Sequence, residues 1–197
     1  MLYCVSRLSW LLLAASYCLI VVAGCNGRPG RLSPPQVNAA TAAAQAMAMY
    51  DTNQDGKISG EEFDACSSLK AIAKDGAVTA DLIAAKITEW QKGNIGRVAV
   101  SVKILHNGKP LPGASVKLTP EKFLGTDIQS ATAITYANGE AGITVPVAPG
   151  VPQGMSLGFY RIAVTKDGES IPAKYNTETT LGLAVLGDVN PTFNLVY

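Results

Sequence analysis

The chain of 197 residues has a single histidine and few charges of either sign. One histidine, His106, excludes every metal or catalytic site that needs two or more histidines. The 16 basic side chains are nearly balanced by 15 acidic ones, and charged residues make up only 16% of the chain. Proteins that hold nucleic acids by their phosphates carry an excess of lysine and arginine, so we expect no nucleic-acid partner.

Charge is also nearly absent from the beginning of the chain. Residues 1–24 read MLYCVSRLSWLLLAASYCLIVVAG, with one positive charge at Arg7 ahead of a long apolar run. A charged start followed by an apolar run is typical of a secretory signal peptide. The run also approaches the roughly 20 apolar residues of a membrane-spanning helix, which is the alternative interpretation.

The end of the apolar run favours the signal peptide. The sequence VAGC at residues 22–25 resembles the lipobox of bacterial lipoprotein signal peptides. That resemblance implies a signal peptide over 1–24, a diacylglycerol on Cys25 and a membrane partner through this lipid. Asn26 replaces the aspartate that retains many such proteins in an inner membrane. We therefore expect a lipid-anchored protein of the bacterial cell envelope, facing the periplasm or the cell surface, with the outer membrane favoured.

Cysteine is scarce once a signal peptide is removed. Only Cys25 and Cys66 remain, so no internal disulfide can form if Cys25 carries lipid. Cys66 is expected to be a buried apolar residue of a short helix. Residues 25–38 continue from the lipidated cysteine with glycine, proline and serine, which predicts a flexible linker.

Residues 51–62, DTNQDGKISGEE, place oxygen-bearing side chains at near-alternate positions around one glycine. This is the spacing of an EF-hand calcium loop, in which position 7 contributes its backbone carbonyl and position 9 often acts through water. Gly56, at position 6, permits the left-handed turn that the loop requires. The expected cofactor is Ca²⁺. The candidate ligands are Asp51, Asn53, Asp55, Lys57, Ser59 and Glu62.

A second, degenerate loop follows in KDGAVTADLI, residues 74–83. Asp75 and Gly76 take positions 5 and 6, but positions 1 and 12 carry no carboxylate, so we expect no metal there. Val78 is expected to pair with Ile58 of the first loop in a short two-stranded bridge. The next helix should bury one face. That face consists of Ile83, Ile87 and Trp90.

Residues 97–197 have a different pattern, in which short runs alternate apolar and polar side chains between turn signals such as HNGK and ANGE. About seven such runs in roughly a hundred residues predict an antiparallel β-sandwich. The phrases GKPLPGASVKLTP, ANGEAGITV and GFYRIAV resemble carboxypeptidase regulatory-like, or transthyretin-like, β-sandwich domains. The positions expected to face the core are Val98, Val100, Val102, Ile104, Ala114, Val116, Leu118, Ile143, Val145, Tyr160, Ile162, Val164, Leu181, Leu183, Val185, Phe193, Leu195 and Tyr197.

The resemblance does not extend to catalysis. Transthyretin-like hydroxyisourate hydrolases use several histidines, an arginine and a YRGS-type C-terminus, whereas this sequence has one histidine and ends in FNLVY. His106 precedes the hairpin turn signal Asn107-Gly108, so we expect a solvent-exposed turn residue. No set of nucleophile, base and oxyanion donors is recognisable, and we expect a protein that is not an enzyme.

The predicted fold class is α+β in two modules. A small helical EF-hand module over residues 39–93, with one intact and one degenerate loop, precedes a β-sandwich of about seven strands over 97–197. This order of parts resembles that of bacterial EF-hand lipoproteins. The expected function is a calcium-binding envelope protein whose β-sandwich binds an unknown envelope protein or glycan. Two alternatives remain, a calcium-dependent regulatory switch and an accessory or carbohydrate-binding subunit of an envelope enzyme.

Overall fold

Two α-helices, α1 (Ala39–Tyr50) and α2 (Ala80–Gly93), pack against each other near the start of the described chain. The structure is a computed structural model that describes residues 32–197. The predicted signal peptide and Cys25 lie outside these residues. Within residues 32–197, none of the helices combines the length and the apolar character that crossing a membrane requires.

Small side chains allow the two helices to approach closely. The buried face of α1 includes Ala42, Ala43 and Ala46, each at most 2% exposed. The predicted face of α2 is buried as well, which confirms the interpretation of its helical periodicity. Its three residues are Ile83, Ile87 and Trp90.

The chain between the helices forms two 3₁₀ helices, Gly60–Asp64 and Ser67–Ile72, in place of the predicted short α-helix. Five or six residues are too few for a stable α-helix, whereas 3₁₀ helices are commonly used in short pieces. Cys66 lies at the bend between them and is 1% exposed. Its predicted burial is confirmed, but its predicted place inside a helix is wrong.

Two short strands join the two loops. Strand β1 (Ile58–Ser59) pairs antiparallel with β2 (Ala77–Val78), and Ile58 lies directly opposite Val78. Both side chains are fully buried. The predicted bridge between the two loops is therefore confirmed.

Eight further strands form two four-stranded sheets. The first, called the β8 sheet, has the order β6-β5-β8-β9 with antiparallel neighbours. In the second, called the β3 sheet, β3 pairs with β4, β7 and β10. The strands are β3 (Val100–His106), β4 (Lys109–Pro110), β5 (Ser115–Pro120), β6 (Ala131–Ile134), β7 (Glu140–Ile143), β8 (Gly158–Thr165), β9 (Gly182–Val185) and β10 (Thr192–Leu195).

One strand pairing differs from the antiparallel prediction. Strand β10 runs parallel to β3, with Phe193 opposite Ile104. The chain reaches β10 from β9, which belongs to the other sheet, so no hairpin sets its direction. A strand that arrives by a crossover can lie parallel to its neighbour.

Alternation along the strands follows the prediction closely. Of the eighteen positions expected to face the core, fifteen are buried, while Leu181 and Phe193 are half-buried and Tyr197 is 36% exposed. The opposite face of β8 is also buried at one end, because Phe159 packs against Trp90 of α2. The two predicted modules thus contact each other through a shared hydrophobic core.

Candidate metal site

The predicted calcium loop begins where α1 ends. Asp51 caps the helix, and its N–H donates to the carbonyl oxygen of Met47 at 3.0 Å. Its carboxylate accepts two backbone hydrogen bonds from the middle of the loop, Oδ1 from Asp55 N–H at 3.1 Å and Oδ2 from Gly56 N–H at 3.0 Å. The loop is therefore folded around the side chain of its first residue.

The middle of the loop has the backbone conformation that the sequence predicts. Gly56 has a φ of 82°, in the left-handed region that glycine adopts without steric cost. The side chain of Asn53 accepts from the N–H of Asp55 at 3.0 Å, and Oδ1 of Asp55 accepts from the N–H of Lys57 at 2.9 Å. Side chains at alternate positions thus turn toward the loop's own backbone.

Glu62, the last predicted ligand, closes the loop. Its Oε1 accepts from the backbone N–H groups of Thr52 at 2.7 Å and Asn53 at 3.3 Å, while Oε2 accepts from Ser59 N–H at 2.9 Å. Donation by Ser59 N–H, and then by Thr52 and Asn53, holds the pKa of Glu62 below its ordinary value. The carboxylate is therefore ionised and held across the loop at neutral pH.

The donor set fits calcium in its chemistry. Every predicted ligand atom is an oxygen, and calcium prefers oxygen ligands. Both carboxylate oxygens of Asp51 and Oε2 of Glu62 each accept one N–H and keep a second lone pair for an ion, whereas Oε1 of Glu62 accepts from Thr52 N–H, the Thr52 hydroxyl and Asn53 N–H. Across residues 32–197, no group of three or more His, Cys, Asp or Glu side chains is gathered closely enough to hold a metal ion. Calcium binding by Asp51, Asp55 and Glu62 therefore stays a prediction.

The degenerate loop forms a tight turn. Lys74 N–H donates to Ala77 at 2.9 Å, and Ala77 N–H donates back to Lys74 at 3.0 Å. Between them, Asp75 and Gly76 both have positive φ, at 51° and 78°. This is the conformation of a two-residue hairpin turn, and Asp75 is the one carboxylate in it.

A buried polar cluster adjoins the candidate metal loop, and no sequence pattern indicated it. Glu121 is 1% exposed, and its Oε2 accepts from the hydroxyl of Tyr50 at 2.8 Å and from Nε of Arg161 at 3.1 Å. Nη2 of Arg161 also donates to the hydroxyl oxygen of Tyr50 at 2.9 Å. Burial, and then the charge of Glu121, raises the pKa of Tyr50. We call these three residues the Tyr50 cluster.

The single histidine does not have the environment predicted for it. His106 is the last residue of β3 and is half-buried, because its ring stacks on Tyr197 with centroids 4.1 Å apart. Its Nδ1 lies 3.3 Å from Oε1 of Glu169. The expectation of a solvent-exposed turn residue was wrong, since strand β3 extends to the turn and β10 brings Tyr197 alongside.

No protein-family model matches this chain, and no curated protein matches it. The resemblances to EF-hand lipoproteins and to carboxypeptidase regulatory-like domains therefore depend on the short sequence motifs quoted above. The internal geometry of residues 51–62 supplies the physical basis for a functional proposal.

Proposed function

We propose that this chain is a calcium-binding protein of the bacterial cell envelope, anchored by lipid on Cys25 and without catalytic activity of its own. The observation that carries the calcium proposal is the position of Glu62. Its two carboxylate oxygens reach the N–H groups of Thr52 and Ser59, near opposite ends of the loop. Oε2 accepts only from Ser59 and keeps a lone pair for an ion, whereas Oε1 also accepts from the hydroxyl of Thr52 and from Asn53 N–H. In the proposed calcium-bound loop these donors give way at Oε1, and Glu62 binds through both oxygens as position 12 of an EF-hand loop does.

The calcium ion is proposed to hold the loop together. The three predicted carboxylate ligands, Asp51, Asp55 and Glu62, repel one another, and a divalent cation among them removes that repulsion. The ligands are the side chains of Asp51, Asn53, Asp55 and Glu62, the carbonyl of Lys57, and Ser59 through water. The proposed role of calcium is therefore structural.

Packing favours a structural role over a regulatory switch. A calcium switch works by exposing an apolar groove between helices. Here the apolar side chains that flank the loop are already buried, with Tyr50 and Phe63 each 5% exposed. The degenerate loop has carboxylates at Asp75 and Asp81 but none at positions 1 and 12, so a second ion has no comparable set of ligands.

The two sheets are proposed to form a β-sandwich of the carboxypeptidase regulatory-like class that binds an envelope protein or a glycan. Ile134, at the end of edge strand β6, is 56% exposed, and Tyr136 is 71% exposed. Exposed apolar and aromatic side chains that lie close together are typical of interaction surfaces. This pair is therefore a reasonable centre for partner binding.

Calorimetric titration of the lipid-free mature chain, residues 26–197, tests the calcium proposal. We expect one calcium ion per chain with a dissociation constant on the order of 10⁻⁵ to 10⁻³ M, and poor competition by magnesium, which prefers a tighter octahedron. No binding would overturn the calcium proposal. Two ions per chain would show that the degenerate loop has been misinterpreted.

Mass spectrometry of the native protein tests the anchor separately. The mature chain is expected to begin at Cys25 with acyl chains on sulfur, and Cys25→Ala should leave the precursor uncleaved. A native chain that keeps Met1, or that carries a free Cys25 thiol, would contradict the lipoprotein proposal.

A further inference from the structure

The Tyr50 cluster keeps a carboxylate inside the protein. A buried charge is costly unless it is paired and hydrogen-bonded. Oε2 of Glu121 meets this requirement through Arg161, which lies on the face of β8 opposite to Tyr160 and Ile162, whereas Oε1 is buried without a hydrogen-bond partner. The hydroxyl of Tyr50 donates to Glu121 and accepts from Arg161, so each of the three groups contacts the other two.

This arrangement fixes the end of α1. The ring of Tyr50 packs edge to face on Phe123, with centroids 6.3 Å apart, and its hydroxyl is held by the cluster. The next residue is Asp51, whose N–H continues the hydrogen bonding of the helix to Met47. The direction in which the Asp51 carboxylate enters the loop thus depends on where Tyr50 is held.

The far side of the loop is attached to the same sheet. Beyond Glu62, the hydroxyl of Ser67 donates to the carbonyl oxygen of Thr180 at 2.6 Å. The 3₁₀ helix that begins at Ser67 lies so close to Gly182 of β9 that a Cβ added there would be 2.3 Å from Ser68 N. The β8 sheet therefore holds the chain both before and after the candidate metal loop.

We infer that Glu121 and Arg161 are positioning residues for calcium, which act through Tyr50 to hold Asp51 in a binding conformation. The inference rests on the proposed calcium function and extends it, because it makes calcium affinity depend on two residues outside the loop. Coupling between sites is reciprocal. Calcium bound in the loop therefore stabilises the packing of α1 on the 3₁₀ turn Lys122–Leu124, which follows β5 of the β8 sheet.

The test compares two tyrosine-to-phenylalanine variants of the mature chain by calcium titration. Tyr50→Phe removes the hydroxyl from the cluster, while Tyr160→Phe removes a buried hydroxyl that donates to Ser156 at 2.8 Å, away from the loop. Tyr50→Phe loses the bond donated to Glu121 and the bond accepted from Arg161. We expect it to weaken calcium binding by about three- to tenfold, on the order of the net contribution of a buried hydrogen bond. Tyr160→Phe should bind calcium as the wild type does, even if its thermal midpoint falls.

A second, conservative variant distinguishes the positioning of the calcium loop by the Tyr50 cluster from a general loss of folded structure. Arg161→Lys keeps the positive charge but loses the planar fork that contacts Glu121 and Tyr50 together. We expect it to weaken calcium binding and to reduce the rise in thermal midpoint that calcium produces. Far-UV circular dichroism confirms that each variant is folded before titration.

The outcomes distinguish this inference from the calcium proposal. If the wild type binds no calcium, both are overturned. If the wild type binds calcium, and folded Tyr50→Phe and Arg161→Lys bind it equally tightly, the cluster does not position the loop and only the inference falls.

Discussion

The indole ring of Trp90 packs against the ring of Phe159, with centroids 5.1 Å apart and planes inclined by 53°. Trp90 lies on α2, and Phe159 lies on the face of β8 opposite to Tyr160. Without the helix, a large aromatic ring would lie exposed on the sheet. The helical segment and the strands therefore stabilise each other.

We predict that Phe159→Ala lowers the free energy of unfolding by about 3 to 5 kcal/mol, the usual cost of removing a fully buried phenylalanine ring. Urea unfolding followed by circular dichroism measures it. The matched control is Tyr136→Ala, because this ring is 71% exposed and its removal should change stability by less than about 0.5 kcal/mol. Equal effects of the two substitutions would contradict the packing of α2 on β8.

Much of the strand arrangement could be predicted because burial follows a period of two. Val100, Val102 and Ile104 alternate with polar residues, and all three are buried. Strand β6 escaped prediction, because its sequence of alanine, threonine, alanine and isoleucine has little apolar contrast, and its isoleucine, Ile134, is exposed. The direction of β10 could not be predicted from the local sequence pattern either, because the crossover that places it parallel to β3 depends on the whole sheet.

The local conformation of the candidate loop could be predicted because the residues that shape it lie within twelve consecutive positions, while its calcium ligation stays a prediction. The Tyr50 cluster could not, because Tyr50 and Arg161 are 111 residues apart in the chain. No periodicity marks Glu121 as buried. Only the packing of α1 on the 3₁₀ turn Lys122–Leu124, beside β8, brings these side chains together.

Calcium affinity should depend unequally on two loop residues. Glu62→Gln replaces an anionic carboxylate that can give two oxygens, whereas Ser59 is proposed to act through water. We therefore expect Glu62→Gln to weaken calcium binding by at least about tenfold and Ser59→Ala by much less, as measured by calorimetry. Undiminished binding in the Glu62 variant would show that the ion lies elsewhere.

The rate at which the buried Cys66 thiol is labelled reports how often the helical segment opens to solvent. Burial, and then the nearby charge of Glu121, raises the pKa of the Cys66 thiol to about 12, so almost none of it is thiolate at neutral pH. In the chain of residues 26–197 it is the only thiol. We predict that a disulfide reagent modifies it at least about a hundredfold more slowly in the native protein than in urea. Fast labelling of the native chain would contradict its burial.

Gly182 should be intolerant of any side chain. It lies in β9, and a Cβ at this position would meet the backbone nitrogen of Ser68 at 2.3 Å and the side chain of Ser67 at 2.5 Å. Backbone atoms cannot move aside as a flexible side chain can, so Gly182→Ala must displace the 3₁₀ helix from the sheet. We expect a loss of about 1 to 3 kcal/mol in the free energy of unfolding, the usual effect of overpacking.

The matched control is Gly142→Ala, in strand β7, where an added Cβ has no atom within 4 Å. Alanine restricts the unfolded chain more than glycine does, so this variant should be as stable as the wild type or slightly more stable. Urea unfolding of both variants, with calcium and with chelator, measures the difference. If Gly182→Ala is as stable as Gly142→Ala, the close approach of Ser67 and Ser68 to β9 is wrong. The attachment of the loop's far side to the β8 sheet would then be wrong as well.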